Sequence, residues 1–251
     1  MFLNSLTFLM KNMTNNKKYK IKDLESFAYK HNLKVLAYKY ILFDWDGTLV
    51  KTLDVWLDAY KEVAVELGID LTGFGDKKVV EIFFGKQGEG YKKFGFENVD
   101  EIYEKVKSIV DIRVQNVESY NNVAAVLEEL KSRGIKMALH TTSNRNLLYP
   151  AIVNLDFEKY FQIILTKDDV TNPKPDPEVI EKELEYLGAS KEECLIVGDS
   201  DKDIQTGINS NVDTCLFYPR DNEKFYKKED LLREKPDLVI TDLIELLKII
   251  N

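Results

Sequence analysis

Cysteine is scarce in this chain. Cys194 and Cys215 are the only two among 251 residues, and both have apolar neighbours. That excludes a disulfide-built scaffold and any cysteine-rich metal centre. The pair read as ordinary buried thiols of a reducing compartment, so the cytoplasm is the expected location. Long apolar runs are also missing. The apolar stretch over residues 1–10 is too short to span a bilayer. Its basic residues follow it, over 11–20, whereas a signal peptide carries them in front. Positive charge is not in excess: the formal net charge is −8. This argues against nucleic acid or an acidic membrane as a partner. A small phosphorylated molecule stays compatible, because one cation and one lysine can dominate a small site. No internal repeat occurs, and no acidic run has the spacing of an EF-hand loop.

What is present suits a folded enzyme-sized domain. A hydrophobic fraction of 44% supports a substantial core, and 31% charged residues indicate a soluble surface. From residue 118 onward, helix and strand patterns alternate with short connections. Helices are expected over 118–132, 145–154, 177–187, 202–209 and 242–250; strands over 135–140, 162–166, 194–198, 213–217 and 238–240. An apolar stretch from Tyr38 through Phe43 supplies one further strand. Such alternation predicts a Rossmann-like α/β core, a parallel sheet with helices on both faces and all strand ends on one side. Residues 54–117 break the rhythm with helical stretches and no confident strand, so they read as a small α-helical insertion, bent near Phe83–Gly88. The expected division is a core of 38–53 plus 118–251, a helical domain of 54–117, and a leader of 1–37. The leader contains a possible helix over 22–34, and no role is assigned to it.

The most informative run is Ile41 to Val50. It places Asp44 and Asp46 one position apart at the end of the first strand, followed by Gly47. Open α/β sheets bind ligands there. A carboxylate can attack phosphorus, a second can protonate the leaving oxygen, and crowded carboxylates favour a divalent cation. Gly47 frees the backbone, and the Thr48 hydroxyl could tie down the turn. A plain turn after a strand is the competing reading.

Three more polar clusters follow strands. Thr141, Thr142, Ser143 and Asn144 could hold phosphate oxygens or simply cap a helix. Lys174, set among prolines in Asn172–Pro177, could be a pre-positioned ammonium or a surface lysine. Asp199 could ligate a hard cation with Asp203 one helical turn on, while Asp201 could be an N-cap.

Taken in order, these motifs resemble the haloacid dehalogenase superfamily, specifically its phosphatases and phosphomutases with a helical cap after the first strand. The likeness covers residues 38 to about 245. It implies Mg²⁺ as cofactor, Asp44 as nucleophile and Asp46 as general acid and base. It also implies Thr141 and Lys174 as phosphate partners, with Asp44, the Asp46 carbonyl, Asp199 and Asp203 around the metal. Gly47, Thr142, Ser143, Asn144 and Arg145 are then candidate phosphate or substrate contacts, with Lys86, Gln87 and Tyr91 as candidates from the cap. A carboxylate at Asp46 points away from dehalogenation, since halide needs no proton. The implied activity is hydrolysis of a small, phosphoglycolate-like phosphomonoester through a phospho-aspartate. The alternatives are a phosphomutase and a non-catalytic binding module of the same fold.

Overall fold

Six strands form one parallel sheet: β1 (Tyr40–Asp44), β2 (Lys136–His140), β3 (Phe161–Leu165), β4 (Cys194–Gly198), β5 (Asp213–Phe217) and β6 (Leu238–Ile240). They belong to a computed structural model that describes residues 38–84 and 88–250; the leader of 1–37, with its expected helix over 22–34, lies outside the described residues. The spatial order is β3-β2-β1-β4-β5-β6. Helices lie between successive strands: α4 (Val123–Ser132), α5 (Arg145–Asn154), α6 (Glu178–Leu187), α7 (Asp201–Ser210) and the short α8 (Lys228–Arg233). Ile41, Leu42 and Phe43 of β1 are fully buried, as are Leu195 and Val197 of β4. Each such side chain contributes about 1.5–3 kcal/mol of apolar burial, which is why the central strands read as unbroken hydrophobic runs.

Because β1 is flanked by β2 on one side and β4 on the other, strand order reverses between β1 and β4. The crevice at such a switch point is where an open α/β sheet offers polar groups to a ligand. Asp44 ends β1 and Asp199 directly follows β4.

Among the described residues no strand lies between β1 and β2. That segment holds α1 (Thr52–Glu66), α2 (Asp76–Phe83), α3 (Val99–Arg113) and short 3₁₀ turns at Glu89–Phe94 and Val114–Asn116. It has its own apolar cluster, which includes Leu57, Val63, Phe83 and Val106. The chain departs and returns at one place, where Val50 and Ser119 form a single antiparallel bridge.

Two expected helices differ at their ends. Residues 118–122 are not helical: Asn122 takes a left-handed φ of 64° as the N-cap residue, so α4 begins at Val123. The C-terminal helix expected over 242–250 is a 3₁₀ turn, Leu243–Glu245, capped by Asp242 and followed by the short α9 (Leu246–Ile249). The helix expected after Pro177 does start with Pro177 as its N-cap and ends on Gly188 at φ 60°.

Candidate active site

The turn after β1 separates two carboxylates by one anchored side chain. Trp45 is buried, and its carbonyl accepts from the amides of Leu49 (3.0 Å) and Val50 (3.2 Å). The Gly47 amide donates to the Val50 carbonyl at 2.9 Å. These backbone bonds hold the turn; the Thr48 hydroxyl, expected to do so, is buried without a partner. With Trp45 fixed in the core, Asp44 and Asp46 are both held at the strand end, and both line a cleft of about 530 Å³.

Lys174 arrives from the segment before α6. Its ammonium donates to Asp44 Oδ1 at 2.6 Å and to Asp203 Oδ1 at 2.5 Å, and its side chain is only 6% exposed. This lysine is an internal cation, not a surface one. Thr141 and Ser143, after β2, both face Asp46: their hydroxyls donate to Asp46 Oδ2 at 2.6 and 3.0 Å. The Ser143 amide donates to Thr141 Oγ1 at 2.9 Å, locking that small network. Asn144 is the N-cap residue of α5 and makes no side-chain capping bond, and Thr142 lines the cleft.

Asp199 is buried against the turn, and Asn222 Nδ2 donates to its Oδ2 at 3.3 Å. Asp203, expected to assist a metal, is engaged differently. Its Oδ2 accepts from the Ser200 amide (3.0 Å) and hydroxyl (2.6 Å) in a capping box, while its Oδ1 takes Lys174. The N-cap of α7 is therefore Ser200, and Asp201 is the first helical residue.

Burial governs the electrostatics here. It pushes the Asp44 carboxyl up to about 7 against the pull of Lys174, with Asp203 and Asp46 adding repulsion. Burial raises Asp199 well above the carboxylate range, and Asp203 and Asp44 raise it further. For Asp203 burial acts upward too, but the Lys174 charge and the hydrogen bonds from Lys174 and Ser200 outweigh it, so its carboxyl is held low. Burial opposes the charge of Lys174, and Asp203 and Asp44 overcome that opposition.

Lys174 thus binds two carboxylates, Asp44 and Asp203, while Asp46 and Asp199 stand beside them with no bound ammonium, an imbalance that a hard cation would relieve. Asp44, Asp46 and Asp199 offer only oxygen donors to the cleft, the donor set magnesium takes. A second grouping, Asp44, His140 and Asp203, has ligand atoms within 4.8 Å of one another. The Lys174 ammonium already binds both of its carboxylates, so that grouping is filled by lysine rather than open to a metal.

Other candidates are drawn away from the cleft. Arg145 forms an ion pair with Asp169, and its backbone amide donates to Asp168 Oδ2 at 2.8 Å. Tyr91 is fully buried and donates its hydroxyl to the Tyr60 carbonyl at 3.0 Å, a core role. Lys86 and Gln87 lie outside the described residues.

The structure also adds a segment that the motifs did not reveal. Residues following β5 form one wall: Asn222, fully buried, donates to the Gly47 carbonyl at 3.1 Å as well as to Asp199, and accepts from the Tyr120 hydroxyl at 2.5 Å. Phe225 and Tyr226 line the cleft beside it, and Phe225 meets Phe84 at the end of α2 with ring centroids 5.5 Å apart. The signal was available, because the strand-end logic used for β1, β2 and β4 applies equally to β5.

Sheet topology and the strand-end array together define a Rossmann-like α/β protein with a candidate active site at the carboxyl edge of its parallel sheet. The chain belongs to the haloacid dehalogenase-like hydrolase family, whose profile matches residues 41–217. Among curated relatives, pyrophosphatase PpaX of Halalkalibacterium halodurans is 31% identical over 206 residues, covering 79% of this chain and 94% of that protein. PpaX of Oceanobacillus iheyensis is 27% identical over 223 residues, covering 86% and 98%. Among solved structures, a HAD family hydrolase of Deinococcus radiodurans with bound phosphate and sodium superposes with a TM-score of 0.72 at 20% identity, over 84% of this chain and 94% of that one. CbbY of Rhodobacter sphaeroides in complex with phosphate gives a TM-score of 0.62 at 19% identity, over 83% and 96%. These two likenesses speak to the fold. No helix among the described residues is long and apolar enough to cross a membrane.

Proposed function

We propose that this chain is a Mg²⁺-dependent phosphatase that hydrolyses a small phosphorylated substrate through a phospho-aspartate on Asp44. The observation that carries this reading is Lys174 bound at once to Asp44 and Asp203 in a cleft where a further carboxylate, Asp46, is held by two hydroxyls. Both hydroxyls occupy Asp46 Oδ2, which leaves Oδ1 for proton transfer.

Asp44 attacks phosphorus while the bond to the leaving oxygen breaks and Asp46 gives that oxygen its proton. Asp46 then takes a proton from water, the water oxygen attacks the phosphoryl group, and the bond to Asp44 breaks to release phosphate. Lys174 neutralises charge on both carboxylate and phosphoryl oxygens throughout. Asp44, Asp46 through its carbonyl, and Asp199 would hold Mg²⁺, which supplies further neutralisation of the phosphoryl charge. The helical insertion over 54–117 serves as the cap that excludes water and sets specificity, and the free, buried Cys194 and Cys215 suit a cytoplasmic enzyme.

One observation favours a second reading of the substrate. Lys77, Lys202 and Lys227 line the cleft and make no salt bridge among the described residues. Three uncommitted ammonium groups suit a leaving group that is itself anionic, as in inorganic pyrophosphate, which the name of the PpaX relatives also suggests. The test is phosphate release with Mg²⁺ from a panel holding phosphoglycolate, sugar phosphates and pyrophosphate, with Asp44→Asn as control. Metal-dependent turnover lost in Asp44→Asn supports the phosphatase, and the preferred substrate decides between the readings. Isomerised sugar phosphate without free phosphate would indicate a mutase instead. Unchanged turnover in Asp44→Asn would sink the assignment.

A further inference from the structure

His140 and Glu183 form a buried polar pair beside the nucleophile that the reaction above leaves unused. His140 closes β2 directly opposite Asp44 in the β1–β2 register. Glu183 lies on the buried side of α6, between Ile180 and Leu184. Both residues are 0% exposed. A charge-bearing residue at such a position costs several kcal/mol unless something compensates it, and an apolar residue would satisfy the packing more cheaply.

The compensation is specific. His140 Nδ1 lies 3.2 Å from both carboxylate oxygens of Glu183. These two contacts hold the ring with its Nδ1 edge toward Glu183, so the imidazole is fixed in orientation. Nε2 is left buried without a hydrogen-bond partner. A ring nitrogen of His140 also lies within 4.8 Å of a carboxylate oxygen on each of Asp44 and Asp203. Those are the two carboxylates that Lys174 bridges, and the bridge uses two of its three ammonium hydrogens. A small cavity of about 10 Å³, room for about one water, is bordered by His140, Thr141 and Lys174. Buried unpaired polar atoms of this kind are uncommon in folded proteins, and this residue borders the same small cavity as Lys174.

We propose that Glu183 and His140 form a brace for the nucleophile. Glu183 fixes the imidazole, and the ring, one nitrogen of which lies within 4.8 Å of both carboxylates, packs against the Asp44–Lys174–Asp203 array and steadies it so that Asp44 keeps its line of attack. Both are positioning residues and touch no substrate. In its kinetic form this inference rests on the phosphatase reading.

Four variants and one spectrum test it. His140→Leu and Glu183→Leu should each lower kcat about tenfold or more with KM within about twofold, the scale of losing support for a catalytic group. The double variant should be no worse than either single one, because the pair acts as a unit. His140→Gln and Glu183→Gln keep a polar partner and should recover most of the rate, which also guards against misfolding of the leucine variants. The chain has only His31 and His140, so the His140 imidazole signals can be assigned by their loss in His140→Gln. They should shift in Glu183→Gln and again in Asp44→Asn. Folded leucine variants with kcat within twofold of the parent, additive losses, or imidazole signals indifferent to Asp44→Asn would each overturn the brace. A parent protein that releases no phosphate but shows both spectral shifts would overturn the phosphatase reading and leave the brace standing.

Discussion

A β-carbon on Gly47 would fall 2.2 Å from Oδ2 of Asp199. The turn after β1 and the carboxylate after β4 therefore interlock, and only glycine permits the approach. Gly47 also has a φ of 79°, where any other residue is strained by about 1–2 kcal/mol. Gly134 has the same φ of 79° with nothing within 4 Å of its would-be β-carbon. The two positions separate backbone strain from displacement of Asp199. Gly134→Ala should lower the melting temperature by a few degrees and leave phosphate release unchanged. Gly47→Ala should lose a similar few degrees or more and at least about tenfold in kcat/KM, since a shift of 1 Å at a reacting group can cost about 100-fold. Equal activity of the two variants would show that Asp199 does not need its present position.

Asp46 is held by two hydroxyls on one oxygen, and those bonds can be removed without touching the carboxylate. Hydrogen bonds to a charged group are worth about 1.5–3 kcal/mol, or roughly 10–100-fold if fully expressed in the rate. Thr141→Val and Ser143→Ala should each lower kcat, the former more because its bond is 2.6 Å against 3.0 Å. Neither should reach the loss of Asp46→Asn, which removes the proton itself and about 10²–10⁴-fold of rate. Steady-state kinetics on the three variants rank them.

Much of this site was legible from residues 38–250 read one strand at a time. A parallel strand buried on both faces writes itself as a short apolar run, and β4 occupies the span 194–198 that its sequence suggested. Polar residues just past such runs share one sheet edge, so Asp44, Asp46, Thr141, Lys174 and Asp199 could be grouped before any coordinates. What stayed hidden was non-local. Asp203 read as a metal helper, and nothing near it in sequence shows that Lys174, 29 positions away, holds one of its oxygens while a capping box takes the other. Tyr91 read as a cap contact, because nothing in its own neighbourhood shows that Tyr60 receives its hydroxyl. Tyr120 and Asn222 pair across 102 positions, a contact that no local pattern reveals.

Asn222 offers a stability test of that wall. Its amide reaches Gly47 and Asp199, and its carbonyl oxygen takes the Tyr120 hydroxyl. Asn222→Ala strands buried polar partners, each costing about 1–3 kcal/mol. The melting temperature should fall by several degrees, with weakened Mg²⁺ dependence of turnover as Asp199 loosens. Tyr120→Phe removes one bond only and should show the smaller fall. A fall in Asn222→Ala no larger than that of Tyr120→Phe would mean that the amide bonds carry nothing.

Both thiols should be silent toward alkylation while the chain is folded. Burial, with Glu183 adding repulsion, pushes the Cys194 thiol up to about 12, and burial raises Cys215 further still. The thiolate is the nucleophile, and at pH 8 a thiol titrating near 12 is ionised in about one molecule in 10⁴. Iodoacetamide at pH 8 should therefore leave native protein unmodified over the time that labels both cysteines in urea, as read by mass spectrometry. The same shifts fix the sign of an alkaline effect. The folded state keeps these thiols protonated, whereas an unfolded cysteine ionises near 8.5. Their stabilising contribution is thus complete below about 8.5 and declines as pH rises from there toward 12. Folding free energy measured by urea titration should fall between pH 8 and pH 10, and the fall should be smaller in Cys194→Ala, which has one thiol fewer to ionise on unfolding. An alkaline fall of the same size in Cys194→Ala would show that Cys194 takes no part in it.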